Sequence, residues 1–463
     1  MKNIDKKVNN IVHFIGIGGI GMSGIAELML DQGFIIQGSD LHINENTKRL
    51  KKKGAKIFLG HRKSNIKDIK VAVFSSAINN NNPEFVACKK LSIPLLRRAD
   101  MLAEIIRGKK AIAVAGSHGK TTTTSLIGTI LDNSNLDPTI INGGIINAYS
   151  KNNRFGFGKW VVVEADESDG SFLKIPHDIN IITNIDLEHM DYYKNKKNLL
   201  KSFESFLTNI PFYGYSILCT DNKNLCKLSK KIKNKRIIKY GFNDSADVKI
   251  VDQKIIKSRS YFSIYFKKNI ISNLSGIYNF ETNLLGKHNI LNATGSLIAS
   301  LIAGSSIHSV RLSLKNFLGV KRRFSFLGKK NKSFIYDDYA HHPTEIKASY
   351  EIANILNKKN VIVVFQPHRF SRTQKLFKEF IKVLSKIKIL YILDIYPAGE
   401  KRLKNINSKN MVKIIKEKNK SAHYISKKEN INKVLSKYYN DENLIVFMGA
   451  GSITHLANSI IKK

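Results

Sequence analysis

Residues 111–124 read AIAVAGSHGKTTTT. The apolar run Ala111–Ala115 has strand character. It meets a glycine-rich turn, and the turn opens a helix. A strand feeding a helix through such a turn is the unit from which parallel α/β sheets are built. The turn also has a chemistry. Its backbone N–H groups and the positive end of the helix dipole favour a polyphosphate. Gly116, Ser117, His118, Gly119, Lys120, Thr121 and Thr122 are the expected nucleotide contacts. Lys120 reaches the outer phosphates, and Thr121 offers its hydroxyl to Mg²⁺. The loop departs from the common GxxxxGKT spacing, because position 114 is Val.

Working outward, EADESD at 164–169 follows the strand-like Trp160–Glu164. Alone it reads as a solvated acidic turn. Beside a phosphate loop, a carboxylate at a strand end suits Mg²⁺, which takes hard oxygen ligands and bridges phosphates. His189, in TNIDLEHMD, follows the strand-like Ile179–Ile185. A lone histidine is more often a structural hydrogen-bonder. Two strand ends converging on one phosphate loop favour a metal or positioning role for His189 and for a carboxylate among Glu164, Asp166, Glu167 and Asp169.

Upstream, HFIGIGGIGMSG at 13–24 places Gly16, Gly18, Gly19 and Gly21 between a strand, Ile11–Ile15, and a helix. Asp40 ends the next strand. That is the dinucleotide fingerprint, and NAD(P) is one reading of it. Close backbone approach at a helix N-terminus binds any pyrophosphate, however. With a second nucleotide loop downstream, a UDP-sugar is the favoured occupant. Ser75 and Arg98, in the same block, join its candidate contacts.

Further along, DDYAHHP (337–343), QPHRFSRT (366–373) and YPAGE (396–400) sit where strands end. Arg369 and Arg372 could fork onto a carboxylate or a transferring phosphate. Gly449 and Gly451 follow another strand and bring backbone close to a ligand or simply turn the chain.

At 463 residues the chain exceeds one ordinary core, since domains usually run to about 100–200 residues. Strands and helices alternate in three blocks, expected at 1–108, 109–323 and 324–463. The predicted class is α/β throughout. A Rossmann-like N-terminal domain precedes a central P-loop-type ATP-binding domain with a small extra β-sheet over about 235–285, and a Rossmann-like C-terminal domain follows. No apolar run reaches the roughly 18–20 residues that span a bilayer, and Met1–Asn10 is too polar for a signal peptide. Cys88, Cys219 and Cys226 form no CxxC pair, which fits a reducing cytoplasm. The net charge is +40, a value that suits nucleic acid, a membrane surface or acidic substrates. The lysines are spread over the whole chain, with Asn and Ile also abundant. No nucleic-acid motif accompanies them, so compositional drift is the reading, and neither nucleic acid nor membrane insertion is expected.

Taken in order, HFIGIGGIGMSG, GSHGKTTTT, EADESDGSF, TNIDLEHMD, GKHNILNA, VKRRF, DDYAHHPTE, QPHRFSRT and YPAGE resemble the Mur ligases over nearly the whole chain. The resemblance implies ATP-dependent joining of L-alanine to UDP-N-acetylmuramic acid through an acyl phosphate. It implies ATP and Mg²⁺ as cofactors, a cytoplasmic location, and a monomer or weak homodimer. Gly16–Gly24 would hold UDP. Lys120 would meet the phosphates, and Thr121, Glu164 and His189 match the magnesium site, with Glu167 the alternative to Glu164. Asn289 and Asn292 match adenine contacts. Arg323 would offset phosphoryl charge. Tyr339, His341, Arg369 and Arg372 would serve the amino acid and the reacting phosphate as the third domain closes, with His341 a candidate base. Ser117 stands where the family has Thr, and Glu188 where it commonly has Asp. A sister ligase adding a tripeptide to the same sugar nucleotide is the alternative.

Overall fold

The computed structural model describes residues 11–462 except 76, 148–150, 233–235, 272–273, 357 and 427–428. The chain forms two compact units. One comprises the residues up to Lys254 with Tyr261–Asn283 and Asn289–Leu318; the other comprises Ile255–Ser260, Leu284–His288 and the chain from Gly319 onward.

The first unit holds two sheets. The first sheet contains β1 (Ile11–Ile15), β2 (Ile35–Asp40), β3 (Lys56–Leu59), β4 (Ile69–Phe74) and β5 (Leu95–Arg97). They lie in the order β3-β2-β1-β4-β5, all parallel. The chain therefore leaves β3 at one edge and crosses to β4. β1 and β4 flank the switch point, the place beyond whose carboxyl ends doubly wound sheets bind ligands. The Gly16–Gly19 turn sits there, between β1 and the helix Ile20–Asp31.

The second sheet contains β6 (Lys110–Ala115), β7 (Thr139–Ile146), β8 (Lys151–Arg154), β9 (Trp160–Glu164), β10 (Ile179–Ile182), β11 (Tyr215–Cys219), β12 (Ile237–Gly241), β13 (Val248–Ile256), β14 (Arg259–Ile271) and β15 (Leu274–Thr282). The order is β15-β14-β13-β12-β11-β10-β6-β9-β7-β8. β6 lies between β9 and β10, parallel to both. Its run Ala111–Ala115 is wholly buried, as a central parallel strand covered on both faces requires. The loops leaving β6, β9 and β10 therefore emerge at one end of the sheet. The extra strands expected over 235–285 are present, but they extend the edge of this sheet. β13 and β14 are joined by Lys257 and Ser258, both at positive φ. That turn geometry matches the twist of an antiparallel hairpin.

The second unit carries β16 (Ser325–Lys330), β17 (Ser333–Asp338), β18 (Asn360–Phe365), β19 (Ile389–Leu393), β20 (Ala422–Ile425) and β21 (Asn443–Met448). Their order is β16-β17-β21-β18-β19-β20. Only the β16–β17 pair is antiparallel. The loops after β17, β18, β19 and β21 share one end, and they are the segments that carry DDYAHHP, QPHRFSRT, YPAGE and Gly449–Gly451.

Candidate active site

At the phosphate loop, Gly116 has φ +132° and Gly119 has φ +85°, conformations that side chains rarely adopt. A Cβ on Gly119 would run into the Asn292 amide, and one on Gly116 into Thr183. At these two positions the loop has no room for side chains. Neighbouring strand ends hold it. The Asn184 side chain accepts the His118 N–H at 2.8 Å and donates to the His118 carbonyl at 2.9 Å. Thr183 Oγ1 donates to the same carbonyl at 2.6 Å. Ser117 Oγ accepts the Asp186 N–H at 2.8 Å, and His118 Nε2 lies 3.1 Å from Asp186.

Lys120 begins the helix Lys120–Asn133 and folds back over the loop. Its Nζ donates to the Gly116 carbonyl at 2.5 Å and lies 3.0 and 2.9 Å from the two oxygens of Glu167. Burial alone would lower the ammonium's pKa. The carboxylates of Glu167, Asp166 and Glu164 outweigh it and hold Lys120 above the ordinary lysine value. Burial pushes the Glu167 carboxyl up to about 7, with Lys120 pulling the other way. Thr121 Oγ1 donates to Glu164 at 3.2 Å, and Glu164 also accepts the Gly143 N–H at 2.8 Å.

His189, at φ +55°, caps a short helix. Its Nε2 lies 3.8 Å from Glu167 and 3.7 Å from Glu188. The candidate metal residues thus fall into two adjoining groups. Thr121 pairs with Glu164, while Glu167, Glu188 and His189 gather their ligand atoms within 4.8 Å of one another. Glu167 is the residue that motif reading set second. It is nearly fully buried, at 1% exposure of its side chain, and it joins both the lysine and the histidine. Asn292 Nδ2 donates to Asn289 Oδ1 at 3.3 Å, so the two asparagines act as a pair beside Gly119.

In the first sheet, Gly16 (φ +83°) passes its own N–H and that of Ile17 to the Ser39 carbonyl, at 2.9 and 3.0 Å. Asp40 accepts the Gly18 N–H at 2.8 Å. Its carboxylate pins the loop. A Cβ on Gly16 would touch Ser75, and one on Gly21 would strike the Arg98 guanidinium. Ser75 and Arg98 therefore do line the glycine loop. Arg98 also lies 4.0 Å from Asp166 on the acidic turn.

In the second unit, Tyr339 and His341 follow β17 and Arg369 and Arg372 follow β18, the two strands that flank β21. His341 Nδ1 lies 2.9 Å from the Tyr339 carbonyl and 3.4 Å from Glu345. Arg323 stands over the Tyr339 ring at 5.5 Å and 3.8 Å from Glu345. Arg369 has φ +70° and donates its N–H to the Tyr396 carbonyl at 2.8 Å. Arg372 Nη1 is 3.4 Å from His368 Nδ1. His368, which motif reading passed over, stacks on Tyr396 at 5.5 Å and lies 6.0 Å from the His341 ring. Burial lowers His341, with Arg372 and Arg323 adding to the effect against Glu345. Burial, His341 and the two arginines push His368 down to about 4. Both shifts favour the neutral imidazole.

Residues 11–110 match the Mur ligase family catalytic domain, 114–300 the Mur ligase middle domain, and 322–451 the Mur ligase glutamate ligase domain. The chain belongs to the Mur ligase family. Within it, the chain is 44% identical over 450 residues to the UDP-N-acetylmuramate–L-alanine ligase of Methylocella silvestris, covering 97% of this chain and 96% of that one. The crystal structure of the UDP-N-acetylmuramate-alanine ligase of Thermotoga maritima superposes with a TM-score of 0.81 at 26% identity, covering 97% of this chain and 98% of that one. A murein peptide ligase from Psychrobacter arcticus shares the fold at a TM-score of 0.72 and 21% identity, over 98% of both chains.

Proposed function

We propose that this chain joins L-alanine to UDP-N-acetylmuramic acid at the expense of ATP, and that the lactyl carboxylate is activated as an acyl phosphate. The observation that carries the reading is the meeting of Lys120 with Glu167 and of Thr121 with Glu164 at the ends of the parallel strands β6 and β9. Full-length likeness to named L-alanine ligases supports the choice of substrates.

A carboxylate and an amine do not condense in water, because the carboxylate is a poor electrophile and oxide a poor leaving group. A carboxylate oxygen attacks the γ-phosphorus of ATP, ADP leaves, and the carbonyl gains phosphate as its leaving group. Lys120 offsets charge on the transferring phosphoryl group. The neutral amine of L-alanine then adds to the acyl carbon. Phosphate departs from the tetrahedral intermediate, and one amine proton is lost. Neutral His341, held by the Tyr339 carbonyl, is the proposed acceptor of that proton. Arg369 and Arg372 are the cations assigned to the amino acid's carboxylate and the departing phosphate. The first glycine loop, with Ser75, Arg98 and the loop-pinning Asp40, is assigned to the UDP-sugar, and Asn289 and Asn292 to adenine.

The donors beside the phosphate loop fit Mg²⁺: a hydroxyl, three carboxylates and an imidazole, mostly hard oxygens. Thr121 and Glu164, with Glu167, Glu188 and His189 beside them, would hold it. When bound, the ion would offset the negative charge of the phosphates. With ATP and a sugar nucleotide as substrates, the reaction is assigned to the cytoplasm.

Trapping tests the intermediate. With hydroxylamine replacing L-alanine, ATP, Mg²⁺ and UDP-N-acetylmuramic acid should yield the sugar nucleotide's hydroxamate together with ADP. ADP formed without hydroxamate would contradict the acyl phosphate.

A further inference from the structure

Behind the first glycine loop lies a buried polar cluster that the chemistry does not use. Glu84, in the first turn of the helix Pro83–Lys90, is fully buried. Its Oε1 accepts from Asn65 Nδ2 at 2.6 Å and from the Arg62 N–H at 3.4 Å. Its Oε2 accepts from Ser39 Oγ at 2.5 Å and lies 3.2 Å from His61 Nδ1 and 3.4 Å from His13 Nε2. Gln37 closes the group, donating to the Asn65 carbonyl at 2.7 Å and lying 3.3 Å from His13. A carboxylate taken out of water is costly unless it is paired and hydrogen-bonded. Simple packing would be met by apolar side chains. Here one carboxylate gathers partners from β1, β2 and the segment after β3.

Ser39 turns this cluster toward the loop. Its hydroxyl goes to Glu84, while its carbonyl takes the N–H groups of Gly16 and Ile17. The next residue, Asp40, takes the N–H of Gly18. Three consecutive loop amides are therefore fixed by two residues at the end of β2. The first of the two is held by Glu84, His61 lying beside it at 2.8 Å.

We propose that Glu84 is a positioning residue for the UDP-sugar loop, fixing through Ser39 the peptide that orients Gly16 and Ile17. The proposal rests on the assignment of that loop to UDP-N-acetylmuramic acid. Glu84 touches no reacting atom, so its loss should weaken sugar-nucleotide binding and leave ATP use intact.

The test is calorimetric binding of UDP-N-acetylmuramic acid to the full-length wild type, Glu84→Gln and Ser39→Ala, with kcat and the KM for ATP measured alongside. Glu84→Gln keeps the shape and removes the charge. Its Kd should rise about tenfold, the scale of a lost hydrogen bond to a charged group. Ser39→Ala should shift Kd the same way by a smaller factor, while kcat and the KM for ATP stay within about twofold in both. Folded variants that bind the sugar nucleotide like wild type, or whose KM for ATP rises equally, would overturn the proposal. If Glu84→Gln does not fold, Ser39→Ala decides alone. A wild type that binds no UDP-N-acetylmuramic acid but hydrolyses ATP would instead overturn the loop's assignment, and the proposal with it.

Discussion

Lys120 and Glu167 form a nearly buried ion pair at 2.9 Å. Removing one member of such a pair normally destabilises by about 3–5 kcal/mol. Glu167 is already raised to about 7, so it can take up a proton when the ammonium is lost. Lys120→Ala should therefore still fold, while kcat falls at least about 10²-fold, the scale of one lost transition-state electrostatic group. A phosphate-release assay on the purified variant checks this, and activity within about threefold of wild type would remove Lys120 from the mechanism. His368 makes a different prediction. Its folded pKa is about 4, below the value near 6.5 of an unfolded histidine. As pH falls from about 6.5 toward 4, the unfolded chain takes up this proton and the folded chain does not, so stability is lost across that window. Melting temperatures should fall over that range, and His368→Asn should fall less steeply. Parallel slopes would contradict the neutral histidine. Sequence reached Lys120 and Thr121 because their spacing is fixed by the turn. It set Glu164 ahead of Glu167, which lies three residues further along the same acidic turn, but gave each no separate task. Only the fold shows that Glu164 pairs with Thr121 while Glu167 turns inward onto Lys120 and His189.

Element geometry explains why the phosphate loop tolerates so little change. Gly119 combines a positive φ with contact against Asn292. Gly119→Ala meets both backbone strain, about 1–2 kcal/mol, and displacement of the asparagine. The KM for ATP should rise by at least about tenfold, with the UDP-sugar affinity unchanged. Equal loss of both affinities would point to general unfolding. Strand legibility also follows position in the sheets. β9, β18 and β21 are continuous apolar runs, because they lie inside parallel sheets with both faces covered. The bounds read for β9, Trp160–Glu164, match the structure residue for residue. β3, β8 and β20 stand at sheet edges and escaped sequence reading. Such edges carry polar and charged residues against unwanted pairing, and β8 reads KNNR, with no apolar residue at all. β7 and β11 are interior strands that also escaped reading, β11 although it is nearly all buried.

At the scale of the molecule, the +40 charge is spread along the chain and no helix among the described residues is long and apolar enough to cross a membrane. Under the proposed assignment the dinucleotide fingerprint at the first loop serves a UDP-sugar, and its Asp40 is engaged with Gly18. A direct titration with NAD or NADP should therefore show no binding. Saturable binding of either would reopen the redox reading. The measurement that bears most directly on the whole account is phosphate release by the purified protein with ATP, Mg²⁺ and UDP-N-acetylmuramic acid, across single amino acids and the wall tripeptide. Strong stimulation by L-alanine, weaker by glycine or serine, is the predicted result. Stimulation by the tripeptide alone, or by no acceptor at all, would contradict it.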